Sequence, residues 1–219
     1  MLTAQEFQAL CERNDLKIVE SCSRGVKVWE SEAGKIIKVF RGKNKFFTSN
    51  NYKSYASRFA NHADRLNKLK VLAPKVDSLQ FCRELNIHVL SYDKLPGQSA
   101  ASLAQKGDEK ILQEVMKFVA KLHQQGIYFR ALHLSNLLLQ ENKDFALIDV
   151  ADMHFKNGPL SLYMRCRNLK HLFRHRLDKK IWAADGLKNW IQFYCQMANF
   201  SGLQNWLFNF WAKILKVAG

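Results

Sequence analysis

Residues 122–152, L-H-Q-Q-G-I-Y-F-R-A-L-H-L-S-N-L-L-L-Q-E-N-K-D-F-A-L-I-D-V-A-D, constrain this chain more than any other stretch. Helical apolar spacing runs up to Gly126, and glycine suits a helix terminus because it takes a left-handed backbone without a Cβ penalty. A polar loop follows, then a short apolar strand over 137–139, a turn over 141–144 and a second apolar strand over 145–148 that delivers Asp149. Asn136 closes the loop and Asp149 closes the second strand, thirteen positions later. A hairpin of this kind can bring an amide oxygen and a carboxylate to one point, the donor type that a hard divalent cation takes.

The chain has 219 residues, 47% of them apolar, enough for one generous domain or two small lobes. No window approaches eighteen uninterrupted apolar residues, and the start, M-L-T-A-Q-E-F-Q, has neither a basic nor an apolar leader region, so a cytosolic, cytoplasmic protein is expected. Five cysteines, scattered and without C-x-x-C spacing, fit reduced thiols. The formal charge of +15 asks for an anionic partner: nucleic acid, an acidic membrane surface, or a phosphorylated or carboxylated substrate.

In the first half, Thr3 with Glu6 three positions later is a capping-box pair that starts a helix over 3–13. The runs 16–20, 26–30 and 35–40 are short, β-branched and separated by S-C-S-R-G and S-E-A-G, which predicts an antiparallel meander. A cationic, acid-free loop over 41–53 leads to a helix over 52–70, where Tyr55, Phe59, Ala63, Leu66 and Leu69 recur at helical spacing. A strand over 85–92 is broken by D-K-L-P-G-Q-S, and the domain boundary is placed between 95 and 96.

The second half is mostly helical. A helix over 108–125 places Leu112, Val115, Val119 and Leu122 on one stripe. Another over 162–177 sets Leu169, Leu172, Phe173 and Leu177 inward and the run R-C-R-N-L-K-H-L-F-R-H-R outward; from 165 to 180 there are seven Lys or Arg and one acid. That run reads either as a solvated face or as an anion-binding surface. Near the end, Phe200, Leu203, Trp206, Leu207, Phe210, Trp211, Ile214 and Leu215 oppose Gln204, Asn205, Asn209 and Lys213, either a core-packing stripe or an interfacial helix with tryptophans at headgroup depth.

The organising stretch resembles the protein-kinase-like superfamily. Within it the likeness is to the lipopolysaccharide core (Kdo/heptose) kinases and the related toluene tolerance group of Gram-negative bacteria, whose loop runs L-H-x-x-G-I-x-x-R-D-L-H-x-x-N-I-L. The matching residues here are Leu122, His123, Gly126, Ile127, Arg130, Leu132, His133, Asn136, Leu138 and, conservatively, Leu137. One position departs: Ala131 stands where the family carries its catalytic Asp.

The resemblance implies an α+β, bilobal protein-kinase-like fold, with a small antiparallel β-sheet N-lobe over 1–95 and a mostly helical C-lobe over 96–219. It implies ATP and Mg²⁺ as cofactors, with Asn136 and Asp149 on the metal and Lys38, in I-I-K-V-F, on the α and β phosphates. Without the resemblance, Lys38 reads first as a strand lysine that alternates outward with Lys35. Gly25 sits where kinases place a glycine-rich phosphate cover, or simply in a hairpin turn, and Tyr92 lies in the 91–95 segment whose backbone would meet adenine. Arg130 and His133 are catalytic candidates in the loop, His133 reading also as a structural histidine; Asp152 is a second candidate base or a cap.

Two further departures accompany Ala131. The helix over 52–70 lacks the usual Glu partner for Lys38, offering only Asp64 and the uncharged Asn61, and the segment after Asp149 is short and has no A-P-E. A short segment points away from peptide acceptors and towards an anionic sugar or glycolipid substrate, with peripheral contact to the inner membrane surface. Nucleic acid is the partner least expected, because no reading motif accompanies the charge. With the base position vacant, the chain reads as a working phosphotransferase or as a pseudokinase with a regulatory or scaffolding role.

Overall fold

The computed structural model describes residues 1–42, 54–108 and 110–217 and divides into two compact units, Met1–Leu95 and Pro96–Gly219. Most of the cationic loop expected over 41–53, and the start of the helix expected from 52, lie outside the described residues.

The N-terminal unit contains helix α1 (Ala4–Cys11), strands β1 (Leu16–Cys22), β2 (Gly25–Ser31) and β3 (Lys35–Arg41), helix α2 (Tyr55–Lys68), and strands β4 (Val76–Cys82) and β5 (Ile87–Asp93). Its sheet is antiparallel in the order β1-β2-β3-β5-β4. Strand alternation gives it two apolar faces. Trp29, Ile37, Val39, Ile87 and Val89 pack under Phe7 and Leu10 of α1, whereas Phe40 and Tyr92 meet Phe59 of α2. The Thr3–Glu6 capping box is formed at the start of α1. In α2 the apolar stripe is Ala56, Phe59, Ala63 and Leu66, all buried, with Ser54 capping its N-terminus. Strand β4 has few of the β-branched residues that mark the other strands. Its burial is low along most of its length, so little apolar alternation announces it.

The C-terminal unit runs β6 (Gln98–Ser99), α3 (Ala100–Gln105), α4 (Ile111–Gln124), β7 (Ile127–Phe129), a 3₁₀ turn Leu134–Asn136, β8 (Leu137–Leu139), β9 (Phe145–Leu147), β10 (Met153–Phe155), α5 (Leu162–Arg174), α6 (Lys179–Ala184), α7 (Leu187–Met197) and α8 (Gly202–Ile214). The expected stripe of α4 is buried, and Ile111, Met116, Ala120 and His123 are buried with it, so α4 is the central helix of this unit. It stops at Gly126, whose φ of 77° is left-handed. A Cβ there would lie 2.3 Å from the Gly158 carbonyl oxygen, so the close approach and the backbone conformation both demand glycine. Three residues of β7 pair with β10, which the sequence reading leaves as loop.

Helices α5, α7 and α8 close the unit through an aromatic cluster in which Tyr194 stacks on Phe208 and Phe200 packs against both. In α5, Leu169, Leu172 and Phe173 face inward as expected. Two departures are informative: Arg165 and Asn168 share that buried stripe, and Leu177, expected inward, lies past the helix end and is exposed. In α8 the buried residues are Phe208 and Ala212, while Leu203, Trp206, Phe210 and Ile214 are exposed. The core-packing expectation thus fails for half of the predicted stripe, because the helix is apolar around most of its circumference and its smaller face meets α5 and α7. Among the described residues no helix is long and apolar enough to cross a membrane.

Replacing Gly126 with Ala forces a β-carbon into a carbonyl and a left-handed φ onto an L-residue, each strain worth about 1–3 kcal/mol. Gly126→Ala is expected to lower the thermal unfolding midpoint by more than about 5 °C; calorimetry showing an unchanged midpoint would contradict the close packing.

Candidate active site

The loop between β7 and β8 has little regular hydrogen bonding of its own, so its shape is set by side chains that reach it from elsewhere. Asn168 of α5 clamps the start: its Oδ1 accepts from the Phe129 N–H at 3.2 Å and its Nδ2 donates to the Phe129 carbonyl at 2.6 Å. Asp178, fully buried, holds the far end by accepting from the Leu134 N–H at 2.7 Å. Between them the Arg130 N–H donates to the Asp152 carbonyl at 2.9 Å, tying the loop to the approach to β10. Buried backbone groups must find partners, and these contacts supply them.

Asn136 is buried at the end of this loop, and its Nδ2 donates to the Ala131 carbonyl at 2.9 Å. With the amide nitrogen engaged, its Oδ1 is the group left to accept. The β8–β9 register pairs Leu137 with Leu147, and the Ile148 N–H donates to the Asn136 carbonyl at 3.1 Å. Asp149 is the next residue, so the hairpin brings Asn136 and Asp149 to the same end, as the sequence spacing requires. Asp149 has a φ of 56°, a left-handed conformation uncommon outside glycine. Strain of this sort persists where surrounding structure enforces it, typically at functional positions. An amide oxygen and a carboxylate are hard oxygen donors, the type that Mg²⁺ takes.

His133 projects from the loop between these anchors. Its ring stacks on His175, with centroids 4.1 Å apart and planes inclined by 9°, and His175 Nδ1 lies 3.2 Å from Asp178 Oδ2. Burial, reinforced by His175, pushes the His133 pKa below its ordinary value, against the opposing pull of Asp178 and Asp149. A neutral imidazole at neutral pH is the consequence. The ligand-type atoms of His133, His175 and Asp178 lie within 4.8 Å of one another. Nearly parallel rings, however, direct their lone pairs side by side rather than at one ion, so the trio is a packed imidazole pair resting on a buried carboxylate.

Beside the loop lies a groove of about 830 Å³ whose lining includes Ala131, His133, Arg130, Arg167, Lys170, Arg174 and Arg176 and, among the described residues, no carboxylate. Asp178, the one acid between 165 and 180, is buried behind this lining, where it acts on His133. His171, also on the groove, is pushed below its ordinary pKa by burial and then by Arg130, Arg167 and Lys170. Asp152 is half-buried at the start of β10.

Lys38, Gly25 and Tyr92 belong to the N-terminal unit. Lys38 is half-buried on the α2 face of β3, and its Nζ lies 5.2 Å from the centre of the Phe59 ring, a cation–π distance. Tyr92 also stacks on Phe59, with ring centres 5.6 Å apart. Asp64 does not stand in for the usual Glu: it is exposed and pairs with Lys68 at 2.7 Å. Asn61 is exposed too. Gly25, at φ 103°, follows a two-residue turn and pairs with Cys22, so this segment is a tight hairpin.

A five-stranded antiparallel sheet with one helix between β3 and β4 is joined in sequence to a helical unit carrying the Asn136–Ala131 bond and the Asn136–Asp149 hairpin.

The fold is kinase-like.

No protein-family model and no curated protein matches the chain. Among solved structures it is similar to the bifunctional kinase-methyltransferase WbdD, at 15% identity and a TM-score of 0.49 over 85% of this chain. A co-crystal structure of WbdD with the kinase inhibitor LY294002 aligns at 16% identity and a TM-score of 0.49 over 92%. Monomeric WbdD aligns at 18% and 0.45 over 83%. The chain spans less than half the length of these structures, 42% to 44%.

Sequence reasoning passes over Asn168, His175 and Asp178. A signal for Asn168 was available: positions 165, 168, 169, 172 and 173 form one helical stripe, and a polar residue on an apolar stripe needs a buried partner. Asp178 stood out as the lone acid in a cationic run. Asn168→Ala leaves the Phe129 N–H and carbonyl unpaired, and denaturant titration is expected to show a loss of about 2–4 kcal/mol; a loss within experimental error would mean the clamp is dispensable.

His123 makes stability pH-dependent. Its Nε2 lies 3.1 Å from Asn168 Oδ1, which only accepts, so Nε2 carries the hydrogen and Nδ1 accepts from the Tyr194 hydroxyl at 2.7 Å. Complete burial pushes its pKa down to about 3 from 6.5. Between those values the unfolded chain takes up a proton that the folded one refuses. Stability is therefore full above about 6.5 and falls on acidification at up to about 1.4 kcal/mol per pH unit. His123→Gln is expected to flatten the slope of unfolding free energy between about pH 6.5 and 5, and an unaltered slope would assign it to other groups.

Proposed function

We propose that this chain is an ATP-dependent phosphotransferase whose acceptor is an anionic sugar or glycolipid, with a lipopolysaccharide core sugar as the reading that the sequence resemblance favours. The observation that carries it is the carboxylate-free cationic groove beginning at Ala131 and His133. In a kinase-like loop the acceptor hydroxyl stands at this place, and an acceptor held there has to be strongly negative. Arg130, Arg167 and Arg174 suit phosphate or sugar carboxylate groups because guanidinium presents a bidentate fork.

Asn136 and Asp149 would hold Mg²⁺, which neutralises phosphate charge when bound. Lys38 would hold the α and β phosphates. Gly25 and Tyr92 would lie at the nucleotide, Gly25 in the hairpin over the phosphates and Tyr92 beside the adenine segment. Phosphoryl transfer depends mainly on positioning and charge neutralisation. As the acceptor oxygen bonds to the γ-phosphorus and the bond to the ADP oxygen breaks, the hydroxyl proton passes to the neutral imidazole of His133, with Asp152 the alternative acceptor. A kinase of this type works in the cytoplasm, where ATP is.

A second reading, a nucleotide-binding pseudokinase, is favoured by Ala131, since loss of a positioned base removes about 10²–10⁴ in rate. ATP turnover and transfer to a core oligosaccharide bearing Kdo and phosphate, measured for the unaltered chain and for Asp149→Ala, His133→Ala and Ala131→Asp, decide between the two. The expected result is slow transfer, abolished in Asp149→Ala, reduced in His133→Ala, and raised at least about tenfold in Ala131→Asp. Thermal stabilisation by Mg²⁺ and ATP without Asp149-dependent turnover would select the pseudokinase, and no response to nucleotide would end both readings.

A further inference from the structure

Helix α8 presents four large apolar residues to solvent: Leu203 at 69% exposure, Trp206 at 63%, Phe210 at 47% and Ile214 at 52%. Their spacing of three, four and four puts them on one stripe, opposite the buried Phe208 and Ala212. The stripe is ordered, because Trp206 and Phe210 stack with planes inclined by 13° and Phe210 packs edge-on to Trp211. A contiguous exposed patch of this kind marks a contact surface.

Charge around the stripe says what it contacts. Helices α5, α7 and α8 contain six Lys or Arg and no Asp or Glu, and only Arg165 of the six is buried. Trp211 meets Tyr163, which lines the cationic groove, and Arg174 donates to the Lys216 carbonyl just beyond α8. On the other side Lys188, Lys213 and Lys216 line the channel between α7 and α8. A second copy of the same face would meet it with like charge and no carboxylate to offset it. An anionic bilayer supplies both missing partners: acyl chains for the indole and phenyl rings, headgroup phosphates for the flanking cations.

We infer that the exposed face of α8 docks this chain onto an anionic phospholipid bilayer, its tryptophan at the headgroup boundary and its flanking lysines and arginines on the lipid phosphates. This surface is separate from the loop residues that would act in phosphoryl transfer, and the inference stands whether or not transfer occurs. It would place the cationic groove beside the membrane surface, which suits a lipid-linked acceptor.

Flotation of the full chain with two kinds of vesicle tests it: mixed phosphatidylglycerol and phosphatidylcholine, and phosphatidylcholine alone. The expected result is binding to the mixed vesicles, weakened at high salt, and at least about tenfold weaker binding to phosphatidylcholine. The double variant Trp206→Glu, Phe210→Glu is expected to lose mixed-vesicle binding by at least about tenfold while keeping the parent unfolding midpoint, because both side chains are exposed. Lys213→Glu reports the electrostatic part separately and is expected to weaken binding less. No binding to either vesicle, equal binding by the double variant, or a dimer in solution that the double variant dissolves would each overturn the inference, the last by giving the stripe to a second copy.

Discussion

Two buried polar side chains hold the loop on which everything else in the C-terminal unit depends. Asn168 satisfies both backbone groups of Phe129, and Asp178 satisfies the N–H of Leu134. The loop between them is neither helix nor strand until the 3₁₀ turn at Leu134–Asn136, so it does not pair its own backbone throughout. Supplying partners from α5 and from the segment after it resolves that conflict. It also couples the loop to the aromatic core, since Asn168 is bonded to His123 and His123 to Tyr194.

Asn136 also fixes the backbone of this loop at Ala131. Asn136 bonds to the carbonyl of residue 131, not to its side chain, so the loop keeps its shape whatever that side chain is. Alanine at 131 therefore costs the loop no hydrogen bond, and the groove beside it is lined by five Lys or Arg.

Burial of Asp178 has a second effect. Between 165 and 180 the charges at the surface are all positive, and the one carboxylate acts from inside, on His133. Acid-free α7 and α8 extend that sign around an aromatic stripe. One placement of one acid therefore shapes the loop, the groove and the electrostatics beside α8.

Much of this was legible in the sequence, and the reason is locality. The Thr3–Glu6 cap, the α4 stripe ending at Gly126 and the hairpin from Leu137 to Asp149 depend on neighbours a few residues away, and short-range sterics and hydrogen bonding suffice to write them. Tertiary structure alone decided the rest. The β7–β10 pairing joins two three-residue segments too short to show a period. The inward turn of Asn168 depends on a backbone gap 39 residues away, and the outward turn of Trp206 and Phe210 on which side of a mostly apolar helix α5 and Tyr194 of α7 cover. A sequence records how apolar a helix is, whereas which face is buried is settled only by what packs against it.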